Sequence, residues 1–204
     1  MIKGEYIDFI RNSLPQVDKT DRFHREQVAR AIDVAVSQVF QDAWNNNPVK
    51  KAMERYTVTV SKTPTSDATT GRYFINLGVD VVDLPRKTGG VFDVLTSSTT
   101  TTKFVPVSVL EGNQLYGSES SLPGNVVGYS WDGARTVEFW DMSAAEASAG
   151  VVVRVIQKFL SYGLTDYIPL PYGQEAVVTQ MVREFLGATP PKDLVNDNAD
   201  IRNG

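Results

Sequence analysis

A chain of 204 residues, 42% of them hydrophobic, is long enough for one ordinary domain, or one domain with an arm, and can bury a core without covalent staples. It contains no cysteine, which excludes disulfides, thiolate metal sites and cysteine nucleophiles. Its 20 Lys and Arg against 24 Asp and Glu leave a net charge of -4, the wrong sign for a dedicated nucleic-acid binder but compatible with a surface that DNA slides past.

The first third predicts helices. An amphipathic piece runs from Gly4 to about Leu14 and stops at Pro15. Thr20 or Asp21 is placed to cap a long helix from about Arg22 to Asn45. Its apolar residues Val28, Ile32, Ala35, Val39 and Ala43 recur at three- and four-residue spacing, and Ala29, Val36, Phe40 and Trp44 form a second stripe. A helix apolar on more than one side has to be packed between other elements. No apolar run of secretory length follows Met1–Glu5, and nothing approaches the roughly 20 apolar residues of a membrane span, so no membrane association is expected.

The middle predicts strands. Arg55–Lys62 alternates, with Tyr56, Val58 and Val60 on one face. Arg72–Leu84, Gly90–Thr96 and Lys103–Leu110 follow. Val126–Trp131 and Arg135–Trp140 flank Asp132-Gly133, a strong hairpin signal because both turn positions tolerate positive φ. Val151–Leu160 is a further valine-rich candidate. The Ser/Thr run Thr96–Thr102 reads as an exposed loop or strand edge. Helix returns at Gly173–Leu186, whose stripe Val177, Val178, Met181, Val182, Phe185 and Leu186 marks a buried face. Pro169 and Pro171 form a rigid joint ahead of it, and Gly187 is the natural stop.

The expected fold class is therefore α+β. N- and C-terminal helices pack together, with an inserted antiparallel β-sandwich or barrel-like module and an extended C-terminal arm. The expected division is a helical region over 1–54, the β module over 55–162, a helix over 163–188 packing on the N-terminal helices, and the arm over 189–204.

The sequence carries little recognisable chemistry, and no catalytic, cofactor-binding or metal residues are expected. His24 is the single histidine, too few for a histidine metal site, and reads as a solvated helix residue or an interface contact. Glu138 sits beside Phe139 and Trp140 with Asp132 and Asp141 nearby, without an identifiable acid–base partner. Asn196, Asn198 and Asp200 have the spacing of a calcium loop, but Ile201 stands where such a loop needs glycine. The basic residues in Arg22–Arg30 and Lys50–Arg55 are mild clusters, the first neutralised by acids on the same helix.

The stretches "GEYIDFIRNSLP", "FVPVS", "YIPLPYGQEAVVTQMVREFLG" and "PPKDLVNDNAD", taken in this order with the intervening helix and β module, resemble the ring or head-to-tail adaptor (neck) proteins of crAss-like bacteriophages. In layout the chain is similar to the adaptors of short-tailed phages. The resemblance implies a structural virion protein of the neck or tail, assembled in the host cytoplasm, and carries no catalytic signature. It implies a dodecameric ring beneath the portal protein that contacts other ring or tail proteins. The ring would line the channel for passing genomic DNA without reading its sequence. It makes Pro190, Asp193, Leu194, Asn196, Asp197 and Asn198 the candidate partner-contact arm. Two other readings of the residues stand beside it. One is a carbohydrate- or peptide-binding sandwich using Trp131, Phe139 and Trp140; the other is a hydrolase using Glu138 or Asp141.

Overall fold

The computed structural model describes residues 1–14, 24–46, 50–97, 101–108, 122, 125–171 and 173–187. Helix α1 (Lys3–Ser13) and helix α2 (Arg25–Asn46) open the chain. A 3-10 segment, Lys50–Tyr56, leads into strands β1 (Val58–Lys62), β2 (Thr65–Ser66), β3 (Tyr73–Asn76) and β4 (Val91–Thr96). Then come β5 (Lys103–Pro106), β6 (Val126–Trp131), β7 (Thr136–Trp140), a short α3 (Ala144–Ala149) and β8 (Val151–Val155). A 3-10 turn at Phe159–Ser161 and helix α4 (Glu175–Phe185) follow.

The strands form two sheets, ordered β1-β8-β4 and β2-β3-β7-β6-β5. Among the described residues every strand pairing is antiparallel except β5 with β6, which run parallel with Lys103 opposite Val126. Antiparallel neighbours can be joined by a tight turn, whereas a parallel pair needs a long connection. Here 19 residues separate the end of β5 from the start of β6. The β6–β7 hairpin turns at Asp132-Gly133, where Gly133 has φ 89°. The Asp132 carboxylate accepts from the N–H groups of Ala134 (2.8 Å) and Thr136 (3.0 Å) and so staples the turn.

Two hydrophobic cores result. Alternation along β8 turns Val151, Val153 and Val155 inward, where they meet Val91 and Val94 of β4 and Val127, Tyr129, Val137 and Phe139 of the second sheet. The two sheets thus share one interior, as in a sandwich. The other core lies in the helical layer. Tyr6, Ile7 and Ile10 of α1, the double stripe of α2, and Val178 and Val182 of α4 bury one another. Helix α2 packs against both α1 and α4. The two stripes on α2 are its two flanks.

The chain passes from one core to the other at Val155–Ile156: Val155 faces the sandwich interior and Ile156 the helical one. The Ile156 N–H donates to Gly90 O (2.9 Å), and its own carbonyl accepts from Val82 N (2.9 Å). The valine-rich run expected as one strand to Leu160 therefore ends at Val155, because Ile156 and Phe159 are claimed by the helices. The backbone packs too tightly at this seam for side chains on the glycines. A Cβ on Gly90 would lie 2.4 Å from Val82 O, and one on Gly89, at φ 50°, would lie 2.0 Å from the Trp131 ring.

Candidate interaction surfaces

Beyond the seam, residues 159–168 form a ribbon stitched to the start of the chain. Ile2 bridges Tyr167 in antiparallel sense. Lys3 N donates to Asp166 O (2.9 Å), Gly4 N to Leu164 O (2.8 Å) and Ile168 N to Met1 O (3.0 Å). The turn within the ribbon is closed by Asp166, whose carboxylate accepts from Gly163 N at 2.6 Å. Beneath it lies Lys3. Its Nζ donates to the carbonyls of Leu160 (2.9 Å) and Tyr162 (2.5 Å) and sits 5.2 Å from the Phe159 ring centroid. Burial lowers the Lys3 pKa, while Asp33 and Asp166 act against that shift. Burial likewise raises the Tyr162 hydroxyl above its ordinary value, with Asp166 adding to it.

The outer side of this ribbon carries large apolar side chains interleaved with the exposed Thr165 and Asp166. Tyr167 is 74% exposed and Leu164 53%, with Leu160 and Met1 beside them also exposed. Leu160 N donates to Asp33 Oδ1 (3.0 Å), which brings the ribbon next to α2 at the exposed Val34. Ordered backbone carrying uncovered large apolar side chains is the pattern of a protein–protein contact.

A second surface is a groove of about 660 Å³ between α1 and α4, lined by Phe9, Ala176, Thr179, Gln180 and Arg183, with Glu175 and Glu184 also on the α4 side. Phe9 is 56% exposed. The Arg183 guanidinium donates through Nη2 to Ser13 O (3.0 Å), while its Nε is buried with no hydrogen-bond acceptor among the described residues.

The joint ahead of α4 is compact. Ile168 is buried in the helical core, Leu170 N donates to Ile168 O (3.0 Å), and Gln174 N donates to Pro171 O (3.1 Å). Pro169 and Pro171 lie within this bend, and α4 starts at Glu175, two residues later than expected. Pro190, Asp193, Leu194, Asn196, Asp197 and Asn198 lie outside the described residues, as do Asp200, Thr20 and Asp21. Of the Ser/Thr run, Thr96 ends β4, and Ser97 N donates to Gly150 O (3.1 Å). Thr102 Oγ1 donates to Glu146 (3.1 Å), and residues 98–100 lie outside the described set.

The aromatics offered for stacking on a ligand are not at the surface. Trp131, Phe139 and Trp140 are all buried. The Trp140 indole N–H donates to Ser130 (3.2 Å), and its ring is covered by the Arg72 guanidinium at 3.9 Å. Period-two alternation would put only one face of β7 inside, but Phe139 and Trp140 face opposite ways and both faces are covered. Glu138 meets Arg72 at 3.9 Å, and Asp141 accepts from Leu122 N at 2.8 Å. With Asp132 closing its hairpin, the three carboxylates serve separate local structures and do not converge. A small pocket of about 230 Å³ beside Arg72, Tyr73 and Asp141 contains one of them. His24 is exposed, and its backbone N–H donates to Gln27 Oε1 (3.1 Å) at the start of α2. Among the described residues no cluster of three or more His, Cys, Asp or Glu side chains could hold a metal, and no helix is long and apolar enough to cross a membrane.

Leu160, Leu164 and Tyr167 escaped the sequence reading because an irregular ribbon has no periodicity to read. Phe9 was legible: it lies off the Tyr6, Ile7, Ile10 stripe that buries α1. No protein-family model matches the chain, and no curated protein matches it.

Proposed function

We propose that this chain is a structural subunit that assembles with copies of itself into a ring at the portal–tail junction of a tailed phage. As a head-to-tail adaptor it would join portal to tail and line the DNA channel. The observation that carries the assembly reading is the apolar patch of Met1, Leu160, Leu164 and Tyr167 on a ribbon fixed by backbone hydrogen bonds. Such a patch is preorganised, so little ordering cost opposes its burial. A ring forms when one patch meets a different surface of the next copy and the rotation closes. The position in the neck, the dodecameric count, the portal and tail partners and the virion location rest on the resemblance of the four quoted sequence stretches. A net charge of -4 suits a wall past which DNA slides.

The test is assembly. Purified chain, alone and with the portal protein, is followed by mass photometry and negative-stain electron microscopy. Closed rings are expected, and the Leu164→Asp, Tyr167→Asp double variant should stay monomeric with an unchanged circular dichroism spectrum. A chain that remains monomeric with and without portal, or purified virions lacking it, would refute the reading.

A further inference from the structure

Gly187 stands at the end of the α1–α4 groove, one turn beyond Arg183 and Glu184. Its φ of 67° turns the chain out of the helical direction, and the sequence beyond it carries Pro190-Pro191, a pair disfavoured inside a helix. Seventeen residues, 188–204, then follow. We propose that this segment folds back and occupies the α1–α4 groove of its own chain.

Three observations support it. The first is reach. The groove side of α4 from Glu175 to Glu184 is about 14 Å long at the helical rise, whereas seventeen extended residues span about 55 Å. The second is chemistry. Leu194, Val195 and Ile201 are the apolar residues that could cover the exposed Phe9 and the carbon surface around Ala176. Asp193, Asp197 and Asp200 supply carboxylates for Arg183, whose buried Nε meets no acceptor among the described residues. Lys192 and Arg202 carry the opposite charge for Glu184 and Glu175. The third is tethering. A linker of only a few residues gives the segment an effective concentration on the order of millimolar at its own groove. In dilute solution that favours its own chain over a second copy.

The absence of cysteine makes the test direct. An Asn198→Cys variant of the full chain carries a single nitroxide label, and amide signals are recorded by NMR in dilute, isotopically labelled protein. The signals of Phe9, Ala176 and Gln180 should lose intensity until the label is reduced. The loss should disappear when Leu194→Asp and Val195→Asp are added. A mixture of spin-labelled, isotopically silent chain with isotopically labelled, nitroxide-free chain should show no such loss. Unchanged intensities in the first sample, persistence of the loss in the Asp variant, or a loss in the mixture would each overturn the proposal. The readout is taken on the isolated chain, so a failure of ring assembly leaves it interpretable.

Discussion

Single residues fix the seam between the two cores. Gly89 and Gly78 both have positive φ, yet only Gly89 is crowded, because nothing lies within 4 Å of where a Cβ on Gly78 would be. Gly78→Ala should therefore cost only the backbone penalty, about 1 kcal/mol. Gly89→Ala adds collision with the Trp131 ring and should cost about 3 kcal/mol. Urea denaturation of the two variants measures the difference, and equal costs would mean that Trp131 moves aside freely. Titration offers a second residue-scale probe. Burial holds the Tyr6 hydroxyl above its ordinary value of 10.0, outweighing the hydrogen bond with Thr179, and burial raises Tyr162 in the same way. Above that pH the unfolded chain loses these protons while the folded chain keeps them, so stability falls as pH rises through 10. Lys3 works the other way. Its lowered pKa means the unfolded chain holds the extra proton, so stability rises with pH, but only up to 10.5. Two tyrosines outlast one lysine, and the urea midpoint should drop between about pH 9 and about pH 11. Tyr6→Phe should reduce the drop; a drop as steep as the parent's would remove Tyr6 as its source.

Elements show where sequence patterns carry information and where they lose it. Helices α1, α2 and α4 were legible because each holds a stripe of 3.6-residue period over ten or more residues, and α4 ends at Phe185, just before Gly187, although Val177 and Phe185 of its expected buried stripe are exposed. The β6–β7 hairpin was legible from Asp132-Gly133 alone. The parallel pairing of β5 with β6 was not, since it depends on a connection whose ends meet only in the folded state. Nor was the assignment of strands to the two sheets, because alternation tells which residues face inward but not which strand is the neighbour. Helix α3 was missed for its length, six residues, although its start signal was in view. Ser143 accepts from Glu146 N, and the Glu146 carboxylate accepts from Ser143 N, a complete capping box. The same carboxylate takes the Thr102 hydroxyl, so this cap also fixes the approach to β5. Ser143→Ala should cost about 1 kcal/mol by thermal or urea unfolding. Glu146→Gln should cost less, since an amide oxygen can still accept; the reverse order would mean that the charge, not the cap, is what α3 needs.

At the scale of the whole molecule, the two exposed surfaces can be tested separately. The ribbon patch is held by backbone pairing, so charge placed on it should alter association and leave folding intact. Burying Leu164 and Tyr167 against a neighbour is worth about 2 kcal/mol each, and a closed ring repeats that gain at every interface. Loss of rings in the double aspartate variant should therefore be all-or-none in mass photometry, with no intermediate oligomers accumulating; a ladder of partial rings would point to an interface elsewhere. The stitching of the ribbon to the chain's start also sets a clock. Lys3 is joined to Leu160 and Tyr162 across sequence separations of 157 and 159 residues. During synthesis at ≈ 5–20 residues per second, Lys3 therefore waits roughly 10–30 s for the ribbon. The five-stranded sheet, complete once β7 ends at Trp140, can form in that interval, whereas the β1-β8-β4 sheet waits for β8, which ends at Val155, just ahead of Leu160. The helical layer closes last: α1 and α2 can pack on each other early, but the face of α2 that α4 covers stays open until Glu175–Phe185 is made.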